Sequence, residues 1–317
     1  MNASEAAVQA SASGVKPRLT EKTRRHLAFY LFISPWFLVF LAFGLYPLLY
    51  GLYLSFTNYV GFNIHNLRFV GWQNYSSVFR DTDAMYALGR TLLITAIYVP
   101  LNTLFGLLLA MALNRKERLV GMFRAMYYLP SIVPVVSVGL IWKLIYAGQN
   151  GILNVWLHAL GLRSVNWLGY DYATGSLLIV LLWGAGSGIL INLAGLKGIS
   201  GDLYEAAAMD GAGGLRKFRH ITLPMMTPVI FYNVVMGTIH GLQLYLLPIL
   251  LSGSELLHPP IRPNYLYVVH AFQQVFAFQR YAYGMALLWV MFVVIILLTV
   301  VVFATSRLWV HYETEQE

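Results

Sequence analysis

The sequence predicts an all-α polytopic membrane protein, and three observations carry that prediction. Only 11% of the 317 residues are charged, against roughly 25% in a soluble domain. Apolar residues make up 58% and gather into long uncharged runs. The 18 Phe, 21 Tyr and 8 Trp suit a chain anchored where lipid meets water. This composition excludes a disordered protein and an ordinary soluble enzyme. With no cysteine, disulfides, thiolate metal sites and Cys nucleophiles are excluded too. The excess of 21 Lys and Arg over 13 Asp and Glu bears on which side of a bilayer the charges sit, rather than on nucleic acid.

A hydrocarbon core of ~30 Å takes about 20 helical residues. Runs of suitable length give expected spans at 27–56, 91–113, 125–146, 172–196, 222–251 and 281–306. Lys143 lies within the third, where its stem can snorkel toward headgroups. None of the runs alternates polar and apolar as a barrel strand does, so six helices are expected across 25–306, with tails at 1–24 and 307–317. A cleaved signal peptide is the rival reading of the N-terminus, but the uncharged run after it exceeds a signal core. Between the spans, Asn150–Leu162 carries an Ile152, Leu153, Trp156, Leu157, Leu160 stripe that suits a short helix lying flat.

Basic residues set the orientation. With the N-terminus inside, the inner side holds Lys16, Arg18, Lys22, Arg24, Arg25, Arg115, Lys116, Arg118, Arg124, Lys197, Arg216, Lys217, Arg219 and Arg307. The outer side keeps Arg68, Arg80, Arg90, Lys143, Arg163, Arg262 and Arg280. This two-to-one bias supports both termini on the inner, cytoplasmic side.

The inner loop at 200–222, between the fourth and fifth spans, is the most informative stretch. Asp202 is positioned to cap a short Ala-rich helix, with Glu205 three residues later reaching back as in a capping box. Asp210-Gly211 reads as a stop and turn, glycine tolerating positive φ at a helix end. A second short helix would then carry Leu215, Phe218 and Ile221 on one side and Arg216, Lys217 and Arg219 on others. Thr222 is a candidate cap for the fifth span, and Pro224 fits its first turn. Such an elbow suits a groove on another protein; an ordinary return loop with headgroup-binding basic residues is the alternative.

The same loop carries a spaced signature. Glu205-Ala206-Ala207, then Gly211, Ile221 and Leu223-Pro224 resembles the EAA motif of permease subunits in binding-protein-dependent ABC importers. The longer form with Asp210 and Phe218 is similar to the carbohydrate branch, the maltose and glycerol-3-phosphate type. Ala125-Met-Tyr-Tyr-Leu-Pro130-Ser-Ile-Val-Pro134, Gly151-Ile-Leu-Asn154, Leu160-Gly-Leu and Asn166-Trp167-Leu168 agree with it. The stretch Ser252 to Pro260 departs, since many relatives carry Gly-Gly-Pro there. The resemblance implies a type I importer fold in which Glu205 meets a basic group on a cytoplasmic ATPase and Gly211 sets the bend. For Glu205, completing its own helix cap is the alternative, and both roles can hold together. The implied partners are a second related permease, two ATPase copies and a solute-binding protein. No cofactor is expected in this chain, because ATP and Mg would be bound by the partner ATPase and no Gly-x-x-x-x-Gly-Lys-Ser/Thr loop exists here.

Small and polar residues within the spans are the remaining candidates. The sugar-importer resemblance implies that the substrate pathway runs past Trp183, Gly184 and Ser187 in the fourth span, and Gly237, Thr238, Gly241 and Gln243 in the fifth. Gly184/Gly188 and Gly237/Gly241 also have the spacing of close helix packing, so both readings stay open for them. Gln243 and Thr238 suit hydroxyl recognition, and Trp183 offers a flat face for a sugar ring. His240 reads as a hydrogen bonder facing the bundle rather than a proton carrier. No Lys or Arg lies deep in these two spans, which favours a neutral di- or oligosaccharide over a phosphate ester. The alternative is a secondary transporter coupled to H⁺ or Na⁺, which ordinarily needs carboxylates at depth; the uncharged cores contain none. A membrane enzyme ranks last, for want of paired carboxylates or a metal-ligand motif.

Overall fold

The computed structural model describes residues 21–61, 67–114, 120–252 and 260–311, with only the backbone for Arg24 and Ser187. The expected tail at 1–20, the basic residues at 115–118, the Gly253 to Pro259 departure and the end of the C-terminal tail lie outside them. Among the described residues the protein is helical apart from turns and a single bridge pairing Thr57 with Phe69.

Contacts divide the chain into two units, Met1–Tyr53 and Leu54–Glu317. The first is dominated by helix α1, Glu21–Ser55. A π-helical turn at Leu41–Leu45 interrupts its regular bonding, next to a Trp36–Phe40 stack with centroids 5.5 Å apart.

The second unit is a helical bundle. Helix α2 (Gln73–Arg80) leads into α3 (Thr82–Leu113), which begins upstream of the uncharged run at 91–113. It passes through Arg90 because that charge is satisfied internally: the guanidinium donates to the Pro263 carbonyl at 2.7 Å and to Thr174 Oγ1 at 2.7 Å. At the far end of α3, Arg124 donates to the Leu113 carbonyl at 2.8 Å, filling an acceptor that the helix terminus leaves open.

Three runs read as single spans are each broken. The 125–146 run forms α4 (Val120–Ile132) and α5 (Val135–Ile145), bent by 102°. The cause is Pro134, which has no N–H and forces Val133 out of helical geometry; it starts α5 with ψ 137. The 172–196 run forms α7 (Ala173–Trp183) and α8 (Gly186–Gly198), bent by 51°. The 222–251 run separates at Gln243–Tyr245 into α10 (Gly214–Leu242) and α11 (Leu246–Leu251). Between these lie the short α6 (Ile152–Ala159), where a flat helix was expected, and α9 (Gly201–Met209). After them come α12 (Tyr267–Phe276) and α13 (Tyr281–Trp309). Among the described residues, four helices are long and apolar enough to cross a membrane, or up to six if each bent pair counts as one.

Two hydrophobic cores fill the second unit. One gathers Ile94 of α3, Leu177 and Val180 of α7, Leu247 and Leu251 of α11, Val269 of α12 and Leu287 of α13. The other gathers Leu107 and Leu113 of α3, Ile189, Leu193 and Leu196 of α8, and Met226 of α10. The break between α7 and α8 therefore separates an elbow-end core from one at the opposite end.

That opposite end is held by buried polar groups. Asn154 of α6 is fully buried and organises its loop. Its amide donates to the carbonyls of Gly148 and Val165 at 2.8 and 2.9 Å, and its oxygen accepts from Val165 N and Trp167 Nε1. Asp81 caps α3 by accepting from the amides of Asp83 and Ala84, and also accepts from the Tyr283 hydroxyl at 2.6 Å. His270 Nδ1 meets Tyr265 Oη at 2.7 Å, and its Nε2 lies 3.3 Å from Asp81 Oδ2. Desolvation raises the Asp81 pKa, but the Tyr283 hydroxyl, two backbone amides and His270 outweigh it, so the net shift is downward. For His270 desolvation wins over the nearby Asp81 and Asp83, and its pKa falls below the ordinary 6.5.

Two outcomes follow from these groups. Asn154→Leu strands the loop's polar atoms and should cost roughly 2–4 kcal/mol, seen as a lower melting temperature in detergent. His270 binds fewer protons folded than unfolded, so its contribution to stability is complete above its ordinary pKa and is lost as the pH falls below it. Melting between about pH 7.5 and about pH 5.5 should therefore show a downward slope on acidification that His270→Gln flattens.

Candidate coupling elbow and transport face

The elbow lies between α8 and α10. Its first arm, α9, is capped by Ser200, whose hydroxyl accepts from the Asp202 amide at 3.2 Å. This corrects the expected Asp202 cap: the chain turns extended at Ile199 (ψ 126), so the helix starts two residues earlier. Asp202 instead sits in the first turn, where its charge suits the helix dipole. With Ser200 as cap, the box position three residues on is Leu203, not Glu205. Glu205 is exposed and makes no side-chain hydrogen bond among the described residues.

The arm ends as expected in a left-handed glycine. Gly211 has φ +73, its amide donates to the Ala208 carbonyl, and the Ala212 amide reaches back to Ala207 at 2.8 Å. These two bonds form a Schellman motif. Nothing lies within 4 Å of a Cβ added at Gly211, so backbone conformation alone demands glycine there.

The second arm differs from expectation. No Thr222 cap separates it from the fifth span. A π-helical turn at Phe218–Thr222 joins Gly214–Lys217 directly to the following helix, making α10 continuous over Gly214–Leu242. Thr222 is buried and its hydroxyl pairs with Tyr204 Oη at 2.9 Å. Ile221 packs on the elbow-end core, Phe218 is half-buried, Leu223 is exposed, and Pro224 lies in the following turn.

The elbow's tip is apolar and open. Met209 is 89% and Leu215 82% exposed, and Leu203 is exposed too. Leu215 thus leaves the side it was expected to share with Phe218 and Ile221, and neither Met209 nor Leu203 was picked out from the sequence. Their only sequence signal was large apolar side chains in a loop facing water, the mark of an interaction site. On the inner curve is a hollow of about 320 Å³ lined by Ala207, Asp210, Ala212, Arg216, Lys217, His220 and Ile221, basic on balance. Ala206 is exposed.

The substrate-pathway candidates fall into two groups. Gly237 and Gly241 are buried against α3, where added Cβ atoms would lie 3.4 Å from Val99 Cγ2 and 2.8 Å from Thr95 Cγ2. Thr238 is buried too and donates to the Val234 carbonyl at 2.7 Å. Close packing is what their geometry carries. Trp183, Gly184 and Gln243 are exposed at helix ends, Trp183 meeting Trp142 edge-to-face at 5.9 Å. Ser187 belongs to the first turn of α8. Nearby Gly186 admits the α4 backbone, since a Cβ there would collide with the Tyr127 carbonyl. His240 is exposed rather than facing the bundle, on a stripe with Tyr232 and Gln243. On α8, Ile191 and Ala194 are exposed as well. Among the described residues, no cluster of His, Asp and Glu is placed to hold a metal ion.

Comparison with known proteins decides what carries this elbow. Residues 102–311 match the family described as binding-protein-dependent transport system inner membrane component. The chain belongs to this family. It is 36% identical over 301 residues to the probable ABC transporter permease protein YesP of Bacillus subtilis, covering 92% of this chain and 94% of that protein. It is 34% identical over 227 residues to the trehalose/maltose transport system permease protein MalF of Thermococcus litoralis, covering 71% and 77%. A bacterial alginate ABC transporter, solved with an alginate-bound periplasmic protein, contains a chain of the same fold. Its TM-score is 0.77 at 22% identity, over 92% of this chain and 97% of that one. The protein is thus a multi-pass membrane permease of a binding-protein-dependent transport system.

Gly211→Ala isolates the backbone requirement of the permease's elbow. With open space around the new methyl, it should cost only about 1–2 kcal/mol of left-handed strain. The elbow is read out locally, as faster amide exchange at Ala208–Ala212 with little change elsewhere.

Proposed function

We propose that this permease forms half of the translocation pathway of an ATP-driven importer for a neutral di- or oligosaccharide. The observation that carries the proposal is the elbow: a glycine-stopped bend whose exposed apolar residues and basic hollow have no partner within the described chain. Its Glu205, Ala206, Ala207, Asp210, Gly211, Phe218, Ile221, Leu223 and Pro224 seat in a cytoplasmic ATPase that binds ATP and Mg. Met209 and Leu215 supply the apolar contact and Glu205 the charged one. Two ATPase copies, a second related permease and an external solute-binding protein complete the assembly. Both termini lie in the cytoplasm, consistent with the bias of basic residues.

The exposed stripe of Tyr232, His240 and Gln243, with Trp183 and Gly184 at the break of the fourth span, faces the second permease and lines the path between them. An amide, an imidazole and an indole suit sugar hydroxyls and ring faces. The trehalose/maltose relative supports a sugar, and the absence of Lys or Arg at depth supports a neutral one. ATP-driven closure of the ATPases pulls the elbow and switches the path between inward and outward access. This chain performs no hydrolysis itself.

The test is the purified complex in proteoliposomes, offered maltose, trehalose, maltotriose and diacetylchitobiose. At least one should raise ATP hydrolysis and enter the vesicles only with ATP. Gly211→Leu should retain hydrolysis but lose about tenfold or more of its sugar stimulation. Uptake driven by a proton gradient without ATP, or full stimulation in Gly211→Leu, overturns the proposal.

A further inference from the structure

If the elbow transmits force as proposed, what it drags depends on how firmly its two carrying helices, α8 and α10, are joined. The structure joins them directly at two levels, and ties the elbow's first arm, α9, to α10 at a third. At the elbow, Tyr204 Oη and Thr222 Oγ1 lie 2.9 Å apart. Farther in, Gly195 brings the backbones so close that a Cβ there would sit 2.7 Å from Val229 Cγ2 and 3.1 Å from Met226 Sδ. Farther still, Asn233 Nδ2 donates to Asn192 Oδ1 at 3.0 Å, with both residues buried. Asn192 is itself oriented: its own amide donates to the Gly188 carbonyl at 2.8 Å. Gly106 of α3 leaves room for that amide, since a Cβ there would lie 3.1 Å from Asn192 Nδ2.

The continuity of α10 matters equally. From Gly214 at the elbow to Asn233 the helix is unbroken, a lever of about 28 Å at roughly 1.5 Å per residue. On the side away from the elbow, the helices break beyond the Asn pair, at Gly184–Ala185 and at Gln243–Tyr245. In a lipid-facing bundle no hydrophobic effect holds α8 to α10. A buried amide pair and glycine-set contact then carry the join.

We propose that Asn192 and Asn233 are positioning residues that pin α8 to α10, so that elbow, α8 and α10 move as one body while the two breaks take up the motion. This inference rests on the coupling reading above. Neither amide touches the solute; each acts by holding the wall that does. Without the pin, ATP-driven movement of the elbow shears α10 along α8 instead of turning both, and hydrolysis continues without transport.

The chain has no native cysteine, so Asn192→Cys/Asn233→Cys puts one addressable thiol pair in this subunit. The assembled complex is measured for ATP hydrolysis and for uptake of the four sugars above, first reduced and then joined by a short methanethiosulfonate linker. Reduced, it should hydrolyse ATP within about threefold of the native rate while uptake falls about fivefold or more. Linked, uptake should recover to within about twofold of native, because a covalent pin replaces the lost hydrogen bond. Native uptake in the reduced form, or no recovery on linking, overturns the inference. Should the thiol variant not assemble, Asn192→Leu/Asn233→Leu leaves no polar atom stranded and must show the same retained hydrolysis and lost uptake; native uptake in it overturns the inference. The two readings fail separately: a fully coupled Gly211→Leu complex condemns the elbow, whereas an uncoupled one together with an unrescued linked variant condemns only the pin.

Discussion

The elbow-end half of the bundle depends on how closely α8 approaches α10. Gly195 removes the side chain that would hold them apart, and Val229 and Met226 fill the space it leaves. Once the backbones are that near, Asn192 and Asn233 reach each other and satisfy one another away from water. In hydrocarbon an unpaired amide costs several kcal/mol, so each residue requires the other. Leu193, Leu196 and Met226 then close a core that continues to Tyr204 on the elbow. The elbow is accordingly built into the bundle rather than appended to it.

The opposite end is governed by polar satisfaction. There Asn154 supplies the backbone partners that its loop lacks, Arg90 ties α3 to the 260–264 turn, and Asp81 gathers amide and hydroxyl donors around the start of α3. Neutral His270 and ionised Asp81 share the site because burial pushes the His270 pKa down, while hydrogen bonds and His270 hold the Asp81 pKa down against its own desolvation. Between the two ends the helices are broken at Pro134, at Gly184–Ala185 and at Gln243–Tyr245. Such breaks persist in a membrane only where the freed backbone groups are covered by protein. Gly186 meeting the Tyr127 carbonyl and Gly139 packed on Leu250 mark where neighbouring helices provide that cover.

Much of the elbow was legible in the sequence because its determinants are local. Gly211 adopts positive φ for a reason contained in Asp210-Gly211 itself. The Ser200 cap was missed because Ser200 and Asp202 are both competent caps, and the choice depends on where the chain leaves α8. The run of α10 through Thr222 was missed because a π-turn has no sequence mark. Its stability comes from Tyr204, distant in sequence, and from packing on the elbow-end core. The glycines of the fifth span show the same limit. Small residues at helical spacing announce a close approach without saying to what, and only the position of α3 turns Gly237 and Gly241 away from the exposed stripe.

The sequence alone determined that this chain is helical and membrane-embedded, where its long apolar runs lie, and that a glycine-stopped bend interrupts them. Those properties follow from uncharged length and single-residue backbone preference, which need no neighbours. The tertiary structure alone decided which runs break, which face of α10 is exposed, and that Asn192 and Asn233 meet. Each of these depends on the distance between helices far apart in sequence, and in lipid that distance is set by packing and hydrogen bonding rather than by any pattern along one helix.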